Sequence, residues 1–511
     1  MKIYSTEAMQ KAVQATLRER GVSMRQFIDE ISSRMADEIR RHILRNDQPI
    51  VIVAGPELNG AYALGVARHL VGKGVRPMTY LFNIGGNRAT AECLAMRETF
   101  LAECEGELLV DMNSIRFEMP ELPRGSIVVD GLFGSERTTP LTGGYLSIIR
   151  YINELHGARV FSLDVPSGML VDSLDGLINR NIVHATTTLT IGDPGIAFYL
   201  KDNEELVGQW KRIDPGLGRD ALRDVESKFT LVDKSVVKRI LRPRSAFASK
   251  ADCGDAIIYA GSYGMLGAAV LAAKGALRGG AGKVTVHAPR CGFFVLQNSV
   301  PCALFDVDAG DVAISQIELK KNYDAVAIGP GIGTADVTID ALDSFLKVAD
   351  SNSRPVVLDA DALNCLHYRN SMLEHIPPLS ILTPHEGEFD RLFGSQPSSY
   401  ARLMKAIVEA ERYKVFIILK GRYSAIIWPD GKVYFNPTGT PALATGGTGD
   451  VLTGVIAAFL AQGIPPEQTA IAATYVHGLA GELAAKDHGV YGTTATDVAE
   501  QIGRAIKSIM N

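Results

Sequence analysis

Apolar and polar positions follow two rhythms along this chain. Between residues 6 and 44 apolar side chains recur three and four apart with Arg and Glu between them, a spacing that predicts helix. From residue 50 short apolar runs take over. The run at 50–53 ends in Ala54-Gly55-Pro56 and gives way to a helical stretch at 61–70. Further strands are predicted at 78–82, 127–129 and 160–163, with helices at 91–104 and 145–155 between them. Short strands alternating with helices indicate a mostly parallel sheet covered on both faces.

The rhythm fades after Leu200. Residues 201–230 are charged, carry glycine and are poor in strand formers, which places a domain boundary near 215–230 and separates 1–220 from 225–511. A second alternating unit follows. Its strands are predicted at 256–259, 283–287, 325–328, 356–358, 415–419 and 425–428. Its helices are predicted at 266–277, 339–348, 401–411, 451–460, 469–486 and 496–509. The expected architecture is α/β throughout: a Rossmann-like three-layer domain, then a second three-layer α/β domain.

Composition narrows the function classes. A length of 511 residues exceeds one domain of about 100–200 residues. With 52 basic and 57 acidic residues the net charge is -5, so neither nucleic acid nor an anionic membrane is an expected partner. The six cysteines form no CxxC and read as small buried hydrophobes, not as a disulfide or zinc framework. No apolar leader or membrane-length apolar run is found, and the cytoplasm is the expected compartment. Glycine, at 50 residues, is above its usual share of about 7%. It clusters at the ends of apolar runs, where it permits tight turns and close approach of backbone to a ligand.

The strongest chemical signal is Asn436-Pro437-Thr438-Gly439-Thr440 followed by Ala444-Thr445-Gly446-Gly447-Thr448-Gly449-Asp450, leading into a predicted helix. Converging backbone N–H groups and a helix N-terminus make an anion site. Asp450 there is either a cap or a base aimed at a group that attacks phosphorus. No GxxxxGK[ST] occurs, which excludes a P-loop.

This region resembles the ribokinase-like families, and within them the ADP/ATP-dependent NAD(P)H-hydrate dehydratases. The resemblance spans about residues 235–508. It is carried in order by Lys250, Gly261-Ser262, Gly267-Ala268-Ala269, Gly329-Pro330-Gly331-Ile332-Gly333 and Val357-Leu358-Asp359-Ala360-Asp361-Ala362-Leu363. Thr383-Pro384-His385-Glu386-Gly387-Glu388-Phe389, Lys420-Gly421-Arg422-Tyr423-Ser424 and the glycine loop complete it. The resemblance implies a ribokinase-like fold and roles by position. Ala268 (or its neighbour Ala269), Gly331 and His385 would contact the hydrated nicotinamide nucleotide. Lys420, Gly421, Arg422, Tyr423 and Ser424 would hold the adenine nucleotide, and Gly449 its phosphate side. Asp450 would contact the substrate and deprotonate its hydroxyl. Mg2+ would accompany ADP or ATP, with Glu386 and Glu388 as candidate ligands.

Several of these residues carry plainer readings. His385 fits a capping or loop histidine, Glu386 and Glu388 a polar first helical turn, and Lys420 a solvated strand end. Asp359 and Asp361 either orient the glycine loop or form a turn after a strand. His477 lies in an apolar helix, where core packing is the better reading.

The first half, about residues 1–215, resembles the NAD(P)H-hydrate epimerase domain that is commonly fused in front of the dehydratase. The matching stretches are Ala67-Arg68-His69-Leu70, Val129-Asp130-Gly131-Leu132-Phe133-Gly134 and Ser162-Leu163-Asp164-Val165-Pro166-Ser167-Gly168. The resemblance implies K+ held by Asn59, Asp130 and Ser167, and substrate contacts at Asp164, Gly134 and Pro140. The family pattern GxxNNGGDG is broken, however: this chain reads Gly55-Pro56-Glu57-Leu58-Asn59-Gly60-Ala61-Tyr62-Ala63. Leu58 replaces an Asn, Ala61 a Gly and Tyr62 the Asp, and the tyrosine ring would fill substrate space. The loop Gly134-Ser135-Glu136-Arg137-Thr138-Thr139-Pro140 also departs from the family's small glycine-rich turn.

The leading expectation is repair of hydrated NADH or NADPH, by one or both halves, in a homo-oligomer. The alternatives are a ribokinase-like kinase of a small hydroxylated vitamin precursor, and a first half that is purely structural.

Overall fold

A computed structural model of the chain describes all residues except 46–47, 86–87, 115–118, 120–121, 173–180 and 219–220. The chain forms two bodies, Ile3–Ser227 and Lys228–Asn511, with Met1 and Lys2 counted in the second.

In the N-terminal body the helical stretch is two helices, Thr6–Arg20 and Met24–Arg41. Gly21 at φ 64 ends the first in a left-handed cap, and Ser23 with Gln26 starts the second in a capping box. The sheet runs in the order Leu109–Met112, Met78–Phe82, Ile50–Ala54, Ile127–Gly131, Arg159–Leu163, Thr187–Ile191 and Gln209–Ile213. Every adjacent pair is parallel. The last strand lies within 201–230, the stretch read as poor in strand formers. It lies at the sheet edge with Lys211 and Arg212 exposed, and charge at an edge blunts further pairing while hiding the strand's pattern.

In the C-terminal body the sheet order is Phe229–Leu231, Val433–Phe435, Ala425–Ile427, Phe416–Leu419, Ile381–Leu382, Val357–Leu358, Ala325–Ile328, Asp255–Tyr259, Lys283–Ala288 and Leu304–Val307. The stretch from Phe416–Leu419 to Leu304–Val307 is parallel, and Ala425–Ile427 pairs antiparallel with both its neighbours. The helices Leu266–Gly279, Thr448–Ala461, Pro466–His488 and Ala495–Met510 contribute to one large apolar core with this sheet.

Two of these helices cross closely enough to require glycine. A Cβ on Gly275 would lie 2.4 Å from the Val451 carbonyl oxygen, and one on Gly454 would lie 2.0 Å from that of Ala272. The two helices run the same way, since Leu271 meets Gly447 while Gly279 meets Val455 and Ala458. Their N-terminal ends therefore lie side by side. Among the described residues no helix is long and apolar enough to cross a membrane.

Candidate active site

The paired helix N-termini border a cavity of about 440 Å3, lined by residues that include Ala268, Gly331, Asp361, Gly446, Gly447 and Asp450. Ala269 is buried in the core instead, so Ala268 is the alanine that faces the cavity. Gly331 and Gly447 take φ 63 and 92, backbone that glycine adopts without strain.

Asp450 lies in the first turn of Thr448–Ala461, but the N-cap position is Gly447 and has no side-chain cap hydrogen bond. Among the described residues no donor hydrogen-bonds the Asp450 carboxylate, so it is not a cap. Burial pushes its pKa up to about 7, with Asp359, Asp361 and Glu388 adding to the effect and Lys420 opposing it. A carboxyl with this value exchanges a proton near neutrality.

Beneath the glycine loop lies a buried charge network. Asp359, 1% exposed, accepts from Lys420 Nζ at 2.9 Å through one oxygen and from Thr453 Oγ1 at 2.6 Å through the other. Burial opposes its charge, yet Lys420, Thr383 and Thr453 together hold its pKa below the ordinary carboxylate value. Lys420 is thus no solvated strand end. Burial works against its charge as well, but Asp359, Glu388 and Asp450 outweigh that and raise its pKa.

His385 has the capping role. It caps the Glu386–Phe393 helix: its Nδ1 accepts from the Glu388 N–H at 3.2 Å, while Glu388 Oε2 accepts from the His385 N–H at 2.8 Å. Glu388 takes part in a capping box, and Glu386 lies 3.9 Å from Arg402, so both acids form a polar first turn of this helix. A β-bridge ties His385 to Lys420 and so to the network.

The turn from Gly421 to Ser424 is a separate, more exposed structure. The Gly421 N–H donates to Ser424 Oγ at 3.3 Å, Arg422 donates to the Pro437 carbonyl at 3.1 Å, and its guanidinium lies 4.7 Å from the Tyr423 ring centre. This joins the segment to the loop at 436–440.

Sequence reasoning assigned His477 to core packing, which is half of its role. It is buried, and its Nε2 donates to the Thr448 carbonyl at 2.9 Å, which props the glycine loop from behind. Burial pushes its pKa down to about 4, so it is neutral at physiological pH. A histidine 29 residues from its partner leaves no local signal in the sequence.

In the N-terminal body Asp130 and Ser167 come together. Asp130 Oδ1 accepts from Ser167 Oγ at 2.6 Å, and its Oδ2 from the Ser167 N–H at 2.9 Å and Ser162 Oγ at 2.8 Å. Asn59, 1% exposed, donates to the Leu163 carbonyl at 3.1 Å, and its Oδ1 is buried without a donor. Asp164, at φ 64, accepts from the Ser135 N–H at 2.7 Å. A Cβ on Gly134 would lie 3.0 Å from an Asp164 oxygen and 2.5 Å from one of Glu136, so these two carboxyls converge. Glu136 was missed by sequence reasoning; burial and then Asp164 push its pKa up to about 7. Tyr62 is only 5% exposed and faces the same pair, which together with burial raises its phenol's pKa. Pro140 is exposed, and nothing in the structure joins it to these groups.

Comparison with known proteins gives matches over both bodies. Residues 256–504 match the family described as NAD(P)H-hydrate dehydratase, and residues 24–196 the family described as YjeF-related protein N-terminus. The bifunctional NAD(P)H-hydrate repair enzyme Nnr of Moorella thermoacetica is 31% identical over 503 residues, covering 94% of this chain and 92% of its own. That of Thermofilum pendens is 30% identical over 481 residues, covering 90% and 87%. Among solved structures, the ADP/ATP-dependent NAD(P)H-hydrate dehydratase of Bacillus subtilis, co-crystallised with ATP/Mg2+, is 33% identical. It covers 55% of this chain and 98% of its own, at a TM-score of 0.48.

Proposed function

The chain belongs to the family of bifunctional NAD(P)H-hydrate repair enzymes, and from that premise we propose how its two bodies divide the work. The C-terminal body dehydrates the S form of hydrated NADH or NADPH, driven by ADP or ATP. The observation that carries this reading is the Asp450 carboxylate, uncapped and with a pKa near 7, facing a cavity beside a helix N-terminus.

Hydroxide leaves poorly at neutral pH, whereas phosphate leaves readily. Asp450 takes the proton of the substrate's ring hydroxyl as that oxygen bonds to the terminal phosphorus, and the bond to AMP (or ADP) breaks. Loop amides from Gly446 to Gly449 and the helix dipole stabilise charge on the equatorial oxygens. The ring nitrogen's electron pair then expels phosphate, and loss of a ring proton restores the reduced nicotinamide. Ala268 and Gly331 border the substrate, with His385 at its margin. The segment Lys420–Ser424 holds the adenine nucleotide, and Gly449 meets its phosphates.

Among the described residues no three His, Cys, Asp or Glu side chains group to hold a metal. Mg2+ that accompanies the nucleotide would be held by phosphate oxygens and water. When bound, the ion neutralises polyphosphate charge.

In the N-terminal body the buried Asn59 Oδ1 without a donor, together with Asp130 and Ser167, offers the hard oxygens that suit K+. Tyr62, buried near Asp164, would crowd a substrate there, and on this reading the body does not epimerise. Gly134 and Asp164 keep the family's positions, and Pro140 remains on the exposed rim of the loop. Self-association into a homo-oligomer completes this reading and is checked by light scattering.

One assay set tests both halves: purified protein with the S and R hydrates of NADH, ADP or ATP, and K+ present or absent. The S form returns reduced-nicotinamide absorbance and releases phosphate. The R form is consumed no faster than it epimerises unaided, with or without K+. A stable phosphorylated product in place of free phosphate would identify a kinase and overturn the dehydratase reading.

A further inference from the structure

Resting on the dehydratase reading, we propose that Lys420 serves the transferable phosphoryl group and not the adenine nucleoside, with Asp359 as its positioning residue. The two parts of the segment Lys420–Ser424 point to different places. Gly421 and Arg422 are exposed, and Arg422 reaches outward to Pro437. The Lys420 ammonium instead lies 3.5 Å from where a Cβ on Gly449 would sit, beside the first-turn N–H groups of Thr448–Ala461.

Hydrogen-bond accounting gives the ammonium a direction. It has three donors. Among the described residues its one hydrogen bond is to Asp359 Oδ1 at 2.9 Å, and Glu388 Oε2 lies farther off at 3.8 Å. The Lys420 side chain is 22% exposed and, among the described residues, keeps two donors free of protein partners beside the glycine loop, so its ammonium is open to an incoming anion.

Asp359 fixes that direction. Its second oxygen accepts from Thr453 Oγ1 at 2.6 Å, one turn along the helix from Asp450. One buried carboxylate therefore locks the ammonium to the helix that carries the base. A Cβ on Gly329 would lie 1.8 Å from the Asp359 carbonyl oxygen, so the neighbouring strand end is also held close. During transfer Lys420 would offset charge gathering on the phosphoryl oxygens while Asp450 receives the proton, a division of labour suited to phosphoryl transfer.

The test compares K420Q, K420R and D359N in binding and turnover. AMP carries the adenosine and the first phosphate, whereas ADP adds the phosphoryl to be moved. K420Q is expected to bind AMP within threefold of the wild type, to bind ADP at least tenfold more weakly, and to lose about 10²-fold or more in kcat. K420R keeps the charge and retains more kcat than K420Q. D359N leaves AMP binding unchanged and lowers kcat more than it raises KM. Equal weakening of AMP and ADP binding by K420Q would return Lys420 to the nucleoside and overturn the proposal, as would unchanged kcat.

If K420Q fails to fold because Asp359 is left unpaired, the double variant K420Q/D359N removes both charges of the buried pair and is measured in the same way. Binding decides the assignment even if the wild type shows no dehydration. That result would sink the functional reading but not the placement of Lys420 against a polyphosphate.

Discussion

Replacing Asp450 with Asn should separate activity from stability, and in opposite directions. The carboxylate has no hydrogen-bond donor among the described residues and is raised from 3.8 to about 7, mainly by burial. The folded protein therefore holds this proton more tightly than the unfolded chain does. Between pH 4 and 7 the unfolded chain releases it while the folded one retains it, so stability falls as pH rises through that window and is level above it. At about 1.4 kcal/mol per pH unit, the full difference sets a ceiling of about 4 kcal/mol on the cost of ionising Asp450. Asn cannot ionise and escapes that cost. D450N should thus melt several degrees above the wild type at pH 8, with the gap closing towards pH 4.

Turnover should move the other way. Loss of a positioned base removes about 10² to 10⁴ in rate, while ADP affinity changes little. In the wild type the acid limb of kcat/KM should fall about tenfold per pH unit below the Asp450 pKa, because only the ionised carboxylate accepts the hydroxyl proton. The assays are scanning calorimetry at several pH values and phosphate release from the S hydrate with ADP. D450N turning over within tenfold of the wild type would refute the base assignment. A D450N protein less stable than the wild type at pH 8 would refute the claim that its charge is held at a cost.

Other expectations follow from the same geometry. G447A places a Cβ at φ 92 and 2.4 Å from Leu271 Cδ1, so it should lose roughly 1–2 kcal/mol for the backbone alone and weaken nucleotide binding, read by chemical denaturation and titration calorimetry. H477A removes the Thr448 carbonyl's side-chain donor and should lower stability by about 0.5–1.5 kcal/mol and slow turnover. Wild-type stability should also fall as pH drops from about 6.5 to 4, since His477 is held neutral in the fold but charges readily once unfolded; the H477A pH–stability curve should lack that component.

Much of the scaffold was legible because buried parallel strands read as short apolar runs. The run at 78–82 and the strand Met78–Phe82 coincide, as do 325–328 and Ala325–Ile328. Charged edge strands and the short strand Ile381–Leu382 were not legible, although the equally short Val357–Leu358 was. Gln209–Ile213 is masked by its own charges, and Ile381–Leu382 is too short to carry a period. At the site, glycine loops announce themselves through composition, which is why the stretch around Gly446-Gly447 stood out. The buried network did not, since Asp359, Thr453 and Lys420 are up to 94 residues apart and meet only through the sheet and one helix. Residue type alone could not choose between readings that differ in burial. Burial and partners separate them: His385 caps a helix, Lys420 is drawn onto Asp359 and only partly exposed, and Glu136 acquires meaning only beside Asp164.

The excess of glycine divides by physical cause, and the division separates fold from function. Gly275 and Gly454 are demanded by backbone of the facing helix, so their absence of a side chain serves packing. Gly331 and Gly447 are demanded by φ as well as by crowding. Gly267 and Gly446 fit neither case: each has φ outside the left-handed region, and a Cβ there would meet nothing within 4 Å. Both line the cavity, Gly267 in the first turn of Leu266–Gly279 and Gly446 in the loop just before Thr448–Ala461. Neither glycine is required by the protein's own packing, so both leave backbone uncovered on the cavity wall. Under the proposed dehydratase reading a ligand's phosphate would approach this bare backbone at the same end of the helix as Asp450, where charge that develops during transfer would meet both amides and a proton acceptor.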